Sequence, residues 1–406
     1  MNENSLEMRT SKTCTLKFFA LALLLMMSLL GVFPLDVILP SFPAISAHFS
    51  TPLPNIALSV SLFAIGVSLS QLILGPISDA IGRKGLLLTG LIVSILGAIG
   101  CIYASTFSFF VLSRFLQAIG CGCFVLTHAL VQDMFNDQER TQVRILLTTA
   151  SGIFISTSPL AGAYLQQVLN WQGSFYIFIA IAAIIFAMAY LFLNSPLPKK
   201  TNSKCNPLNS YKTIATNKYF LAYSLLSAIA FSCHFSFIVI SPILLIKHLG
   251  LSQYEFSLAL LIYGAAYVVG GICAGLLHRH IKSTAQIIIG LSLINVAGVV
   301  VLALNTLLHL SLITILLPMI ICTVGTTIVR PAATSGAMDI FPHNAGAAAS
   351  LSNTILFIFG GIISAVVTIA SDNLDQNLGV GLTILGLAGL LLTFRILSGN
   401  SDIPRS

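Results

Sequence analysis

The chain has 406 residues, 56% of them hydrophobic and only 8% charged, with 19 Lys and Arg against 12 Asp and Glu for a formal charge of +7. Soluble domains carry about 25% charged residues, and a globule in water always has polar surface to supply, so this composition excludes a water-soluble fold and makes lipid the solvent. The basic residues are scattered between apolar runs and form no aromatic-flanked patch, so no nucleic-acid partner is expected.

Backbone that crosses hydrocarbon has to satisfy its own hydrogen bonds, so it crosses as helices or as a closed barrel. The apolar runs are continuous over roughly 20 residues or more, whereas barrel strands alternate in segments of about ten. An all-α membrane protein with twelve transmembrane helices is therefore predicted. The spans lie near 16–39, 55–77, 85–104, 107–132, 143–166 and 173–194, then 219–243, 255–277, 285–306, 309–329, 345–370 and 377–397. This divides the chain into a tail at 1–15, a six-helix half at 16–194, a linker at 195–218, a second six-helix half at 219–397 and a tail at 398–406. Lys199, Lys200, Lys204, Lys212, Lys218 and three prolines mark the linker as solvated and basic.

Arg9, Lys12 and Lys17 flank the first apolar run as in a secretory leader. No small-residue cleavage site follows, and the run continues to Leu39, so a retained first span is expected. With the N-terminus inside, sixteen of the nineteen Lys and Arg fall on the cytoplasmic side, only Lys247 lies outside, and Arg114 and Arg330 sit in or at the ends of spans. The positive-inside rule thus puts both termini in the cytoplasm of an inner membrane. Trp171, between the fifth and sixth spans, is expected as an interfacial ring. The eight cysteines include Cys121 and Cys123, whose side chains diverge on a helix. All eight read as small apolar residues, without a metal site or disulfide framework.

Six spans, a break and six more suit a transporter of two repeated halves with its site between them, although a channel or receptor also has many spans. The residues that carry chemistry follow in chain order. Asp36 is the only carboxylate well inside a span, within Phe33-Pro34-Leu35-Asp36-Val37-Ile38-Leu39-Pro40. A lone carboxylate there is costly when ionised and suits a proton carrier; Pro34 loosens the hydrogen-bond ladder beside it. Gly75, Asp79, Gly82, Arg83 and Lys84 punctuate the turn between spans two and three. Gly75 allows helices to approach closely, Asp79 can face a helix N-terminus, and Arg83 needs a carboxylate partner. Arg114 in span four, near Gln117, is costly in lipid unless paired or hydrated. Span five carries Gly152, Ser156, Ser158, Pro159, Ala161 and Gly162, whose small residues permit close contact and whose proline prevents a regular helix. His128 and His234 are candidate cavity residues, His234 lying among Phe231, Phe235 and Phe237.

The turn at 75–84 resembles the signature loop of the major facilitator superfamily, and the stretches around Arg114 and Pro159 resemble its proton-coupling and antiporter motifs. The end of span one and Phe341-Pro342-His343-Asn344-Ala345-Gly346 look like the Bcr/CflA branch of drug:proton antiporters. The turn from Gly271 through Gly275 to His278, Arg279 and His280 resembles a degenerate second signature loop that lacks the acid. The resemblance implies Arg83 paired with Asp133 in a conformational latch, Asp36 and Arg114 in proton coupling, and export of a small amphipathic compound by a monomer. Departures from the family stand at Ser158, Ala161, His128 and Gln132. Nucleotide-binding loops and hydrolase motifs are absent from the sequence, so neither cofactor nor catalysis is expected. A non-transporting receptor or assembly factor and a nutrient importer are the rival readings.

Overall fold

Long apolar stretches fold as long helices throughout the computed structural model, which describes residues 3–193, 207–278, 280–308, 310–341, 345–369 and 373–397. The first half comprises α1 (Glu3–Asp36), α2 (Phe42–Phe49), α3 (Leu53–Ile81), α4 (Arg83–Ile102), α5 (Phe107–Cys121), α6 (Leu126–Met134), α7 (Asp137–Leu169) and α8 (Gly173–Phe192). A short α9 (Pro207–Ala215) leads into α10 (Lys218–Ser241), α11 (Gln253–His278), α12 (Ser283–Leu307), α13 (Leu312–Asp339), α14 (Ala345–Ile369) and α15 (Leu374–Leu392). Among the described residues, 11 helical runs are long and apolar enough to cross a membrane. The 33-residue α7 stands where the fifth span is expected, which brings the architecture to two sets of six. A single 3-10 turn at Gly122–Val125 joins α5 to α6, and the two make one crossing.

Two local features differ from the sequence reading. The linker contains the helix α9. The first span is not helical to Leu39: α1 stops at Asp36, a 3-10 turn covers Leu39–Ser41, and α2 then starts. Pro40 and Pro43 account for this, since each removes a backbone donor and disfavours helix just before it, whereas Pro34 is carried inside α1. Trp171 lies between α7 and α8, where the sequence places it, and is buried against the rings of His48, Phe49, Phe110 and Phe175.

Helix α10 is buried along nearly its whole length. By contrast α8, α11 and α15 expose Leu191, Ile262, Ile384 and Leu391, the apolar surface that lipid solvates. The two halves meet along α3 and α14 through short hydroxyls. Ser61 Oγ lies 2.8 Å from Ser364 Oγ, Thr354 Oγ1 donates to the Ser68 carbonyl at 3.4 Å, and Ser350 Oγ donates to the Gln71 carbonyl at 3.3 Å. A second inter-half contact joins α7 to α11, where Ser257 Oγ donates to the Pro159 carbonyl at 3.0 Å. Small polar side chains bring membrane helices close and hold them without charge.

Candidate functional site

The C-terminal turn of α1 places Asp36 at the end of a helix and inside the protein, with 8% of its surface exposed. The last carbonyls of a helix have no partner within it. One of these, on Pro34, is taken by Arg114, whose Nη2 donates to it at 3.0 Å while Nη1 donates to Gln117 Oε1 at 3.0 Å. A cation at the negative end of a helix dipole is favourable. The guanidinium also lies over the Phe63 ring at 4.3 Å and the Phe175 ring at 5.7 Å, which offsets part of the cost of burying it. A cavity of about 10 Å³ beside it, lined by Pro34, Gln117, Ser174 and Phe178, has the size of one water. No ion pair joins Arg114 to Asp36 among the described residues. The two share one helix turn instead of one salt bridge.

Helix α7 presses on the same place. A Cβ on Gly162 would collide with the Val37 carbonyl oxygen, so only glycine lets α7 reach the residue that follows Asp36. Ser158 is buried, and Ser151 Oγ meets Ser28 Oγ of α1 at 2.8 Å. Contrary to the sequence reading, Pro159 does not interrupt α7. A missing donor is tolerated in a membrane helix that is packed against its neighbours, and beside the proline Ser156 and Thr157 donate back to the Gly152 and Ile153 carbonyls of their own helix. Gly152 is another departure from expectation: a Cβ there would meet nothing within 4 Å, so it mediates no close contact.

At the inner end of the first half Gly82 adopts φ 94°, a conformation that side chains resist, and so turns the chain from α3 into α4. The turn aims Arg83 at Asp133 of α6, with Nη1 to Oδ2 at 2.7 Å and side chains 20% and 41% exposed. An ion pair this open contributes about 0–1 kcal/mol, little enough to be broken and remade. Lys84 Nζ donates to the Tyr190 carbonyl at 2.8 Å in the last turn of α8, the end where a cation is favoured. Gly75 and Asp79 fall near the end of α3 and His128 and Gln132 in α6, but their side chains lie outside the described residues, as do Arg279 and 342–344.

In the second half His234 Nδ1 lies 2.6 Å from the Tyr263 hydroxyl, with the two rings stacked. Tyr267 packs on the same imidazole and accepts a hydrogen bond from Arg330 Nη1 at 2.9 Å. Arg330 also lies over the Phe231 ring at 5.2 Å.

The profile of the Major Facilitator Superfamily matches residues 21–365. The chain belongs to this superfamily. Within it, the MFS-type transporter YdgK of Bacillus subtilis is 27% identical over 386 residues, covering 92% of this chain and 94% of the relative. The multidrug resistance protein MdtL of Salmonella typhi is 24% identical over 375 residues, covering 90% and 92%. Among solved structures, a D-xylose-proton symporter superposes with a TM-score of 0.76 at 15% identity, covering 96% of this chain and 98% of that one. A bacterial homologue of the human lysosomal transporter Spinster does so with 0.67 at 14%, covering 94% and 95%. At such identities the superpositions establish the fold alone.

As a major facilitator the chain is a multi-pass membrane transporter rather than an enzyme, with a small-molecule substrate and the bilayer as its surroundings. The structure brings Asp36, Arg114, Gln117 and Gly162 into one neighbourhood and Arg83 and Asp133 into another. It sets His234 apart, in the second half. Sequence reasoning put Arg330 in or at the end of a span without giving it a role, and passed over Tyr263 and Tyr267. The charge of Arg330 inside a run of apolar residues was the available signal for the first; nothing in spacing distinguishes the two tyrosines from core aromatics.

Proposed function

We propose that the chain is a proton-driven exporter of a small amphipathic compound, a drug:proton antiporter of the Bcr/CflA-like branch, working by alternating access in a bacterial inner membrane with both termini in the cytoplasm. The observation that carries this reading is the environment of Asp36. It is a buried carboxylate with no hydrogen-bond or ionic partner among the described residues, at the broken end of α1 and one residue from the backbone that Gly162 touches. Adding or removing a proton there changes the charge beside the α1 terminus that Arg114 holds. Helix α7 contacts this terminus on one side and α11 of the other half on the other side, so it is suited to pass the change between halves. Arg83 and Asp133 then act as an inner latch, weak enough to open in each cycle. The multidrug names among its relatives favour export.

The experiment is flux in everted membrane vesicles loaded with the protein. Export by proton exchange predicts that an acidic interior drives accumulation of a fluorescent amphipathic dye and that collapsing the pH gradient releases it. Movement of dye out of the vesicles under the same gradient would assign import, and absence of gradient-dependent flux for dyes, peptides and sugars alike would leave the receptor reading.

A further inference from the structure

Arg330 stands about two-thirds of the way along α13, and it has no ion-pair partner among the described residues. The carboxylates between 219 and 397 are Glu255, Asp339, Asp372 and Asp375. Glu255 is engaged by the backbone and hydroxyl of Ser252 at 2.9 and 2.8 Å. Asp339 lies nine residues along the same helix, about 13 Å away at 1.5 Å per residue, and Asp375 begins α15. The neighbours of Arg330 are neutral and aromatic: the Tyr267 hydroxyl, which accepts from Nη1, and the face of Phe231. Its Nε is buried with no acceptor. Phe231 stacks with Phe235 at 5.2 Å and meets Phe357 edge-on at 5.2 Å. These groups come from α10, α11, α13 and α14, four helices converging on one point. Arg330, Tyr267 and Phe357 nevertheless each keep some accessible surface, so the cluster is not sealed off.

A guanidinium inside a membrane span is costly until an anion meets it, and its planar fork of donors matches a carboxylate. We propose that Arg330, Tyr267, Phe231 and Phe357 form a subsite for the carboxylate end of an amphipathic aromatic anion, which makes organic anions a substrate class of this transporter. The guanidinium takes the carboxylate through its free donors, Tyr267 fixes the orientation of the fork, and the Phe231 and Phe357 rings hold the apolar body against the helices. This rests on the reading of the chain as a carrier of amphipathic compounds, but binding at equilibrium tests it without any proton gradient, so failed proton coupling and a failed subsite are separate results.

The test is binding of 1-naphthoate and of its neutral counterpart 1-naphthamide to the full-length protein in detergent, by equilibrium dialysis, alongside thermal unfolding of each variant. The expected result is tighter binding of naphthoate by the wild type. Arg330→Gln should weaken naphthoate about tenfold or more, the effect of losing one charge-assisted hydrogen bond, and leave naphthamide unchanged. Arg330→Lys should keep part of the preference, and Tyr267→Phe should weaken naphthoate alone, by a few-fold, in a protein that keeps its charge. The proposal is overturned if the wild type binds naphthoate no better than naphthamide, or if these variants change both ligands equally. Displacement of naphthoate by an equimolar amount of phosphatidylglycerol would overturn the substrate assignment in favour of a lipid headgroup.

Discussion

Arg114 donates to the main-chain carbonyl of Pro34, two residues before Asp36, and not to the carboxylate itself. It therefore holds the end of α1 that carries the proposed proton site. A lysine keeps the charge but cannot reach Pro34 and Gln117 with a planar fork. Arg114→Lys should lower gradient-driven export by about tenfold or more and destabilise the protein by about 1.5–3 kcal/mol, the worth of a hydrogen bond to a charged group. Vesicle flux and thermal unfolding together check this, and wild-type flux in the lysine variant would show the carbonyl contact to be incidental.

Asp36→Asn removes the titrating group while nearly conserving shape. It should abolish accumulation driven by a pH gradient and leave equilibrium binding of the dye within a few-fold of wild type. Normal gradient-driven flux in this variant shifts the proton to another group, His234 or His128 first.

Arg83 and Asp133 should behave as one unit. Each single charge reversal, Arg83→Asp or Asp133→Arg, is expected to lower export, and the double variant to recover most of it. Losses that simply add in the double-mutant cycle would falsify the latch. Because the pair is solvent-accessible, unfolding temperature should change little in any of the three.

Two glycines of α7 make opposite predictions. Gly162→Ala drives a methyl into the Val37 carbonyl and should cost about 1–3 kcal/mol, as overpacking does, with a parallel loss of export. Gly152→Ala meets open space and should be neutral or stabilising by up to about 1 kcal/mol, since alanine favours helix. Unfolding midpoints of the two purified variants check both.

These contrasts mark what sequence can carry. The spans were legible because lipid leaves the backbone no alternative to helix, and the Arg83 and Asp133 pairing because both residues sit at span ends whose depth is fixed. The acceptor of Arg114 was not legible, because a side-chain pattern says nothing about which carbonyl a proline and a helix terminus leave free. Motif membership likewise does not separate Gly162 from Gly152, a distinction that depends on which face of α7 meets α1. The cluster around Arg330 is hidden for the same reason, being assembled from four helices whose rotations are set by packing.

The seam between α3 and α14 has a mechanical consequence. Thr354 and Ser364 bridge the halves yet also bond to carbonyls of their own helix, Ser350 and Gly361, at 2.9 and 3.1 Å. Ser257 at the α7 contact does the same with Gln253 at 2.8 Å. When such a contact parts, the hydroxyl keeps a partner and leaves no polar atom stranded in hydrocarbon, where each would cost several kcal/mol. At these three hydroxyls the halves meet on self-satisfied groups, so the parting that the proposed alternating access requires would strand none of them.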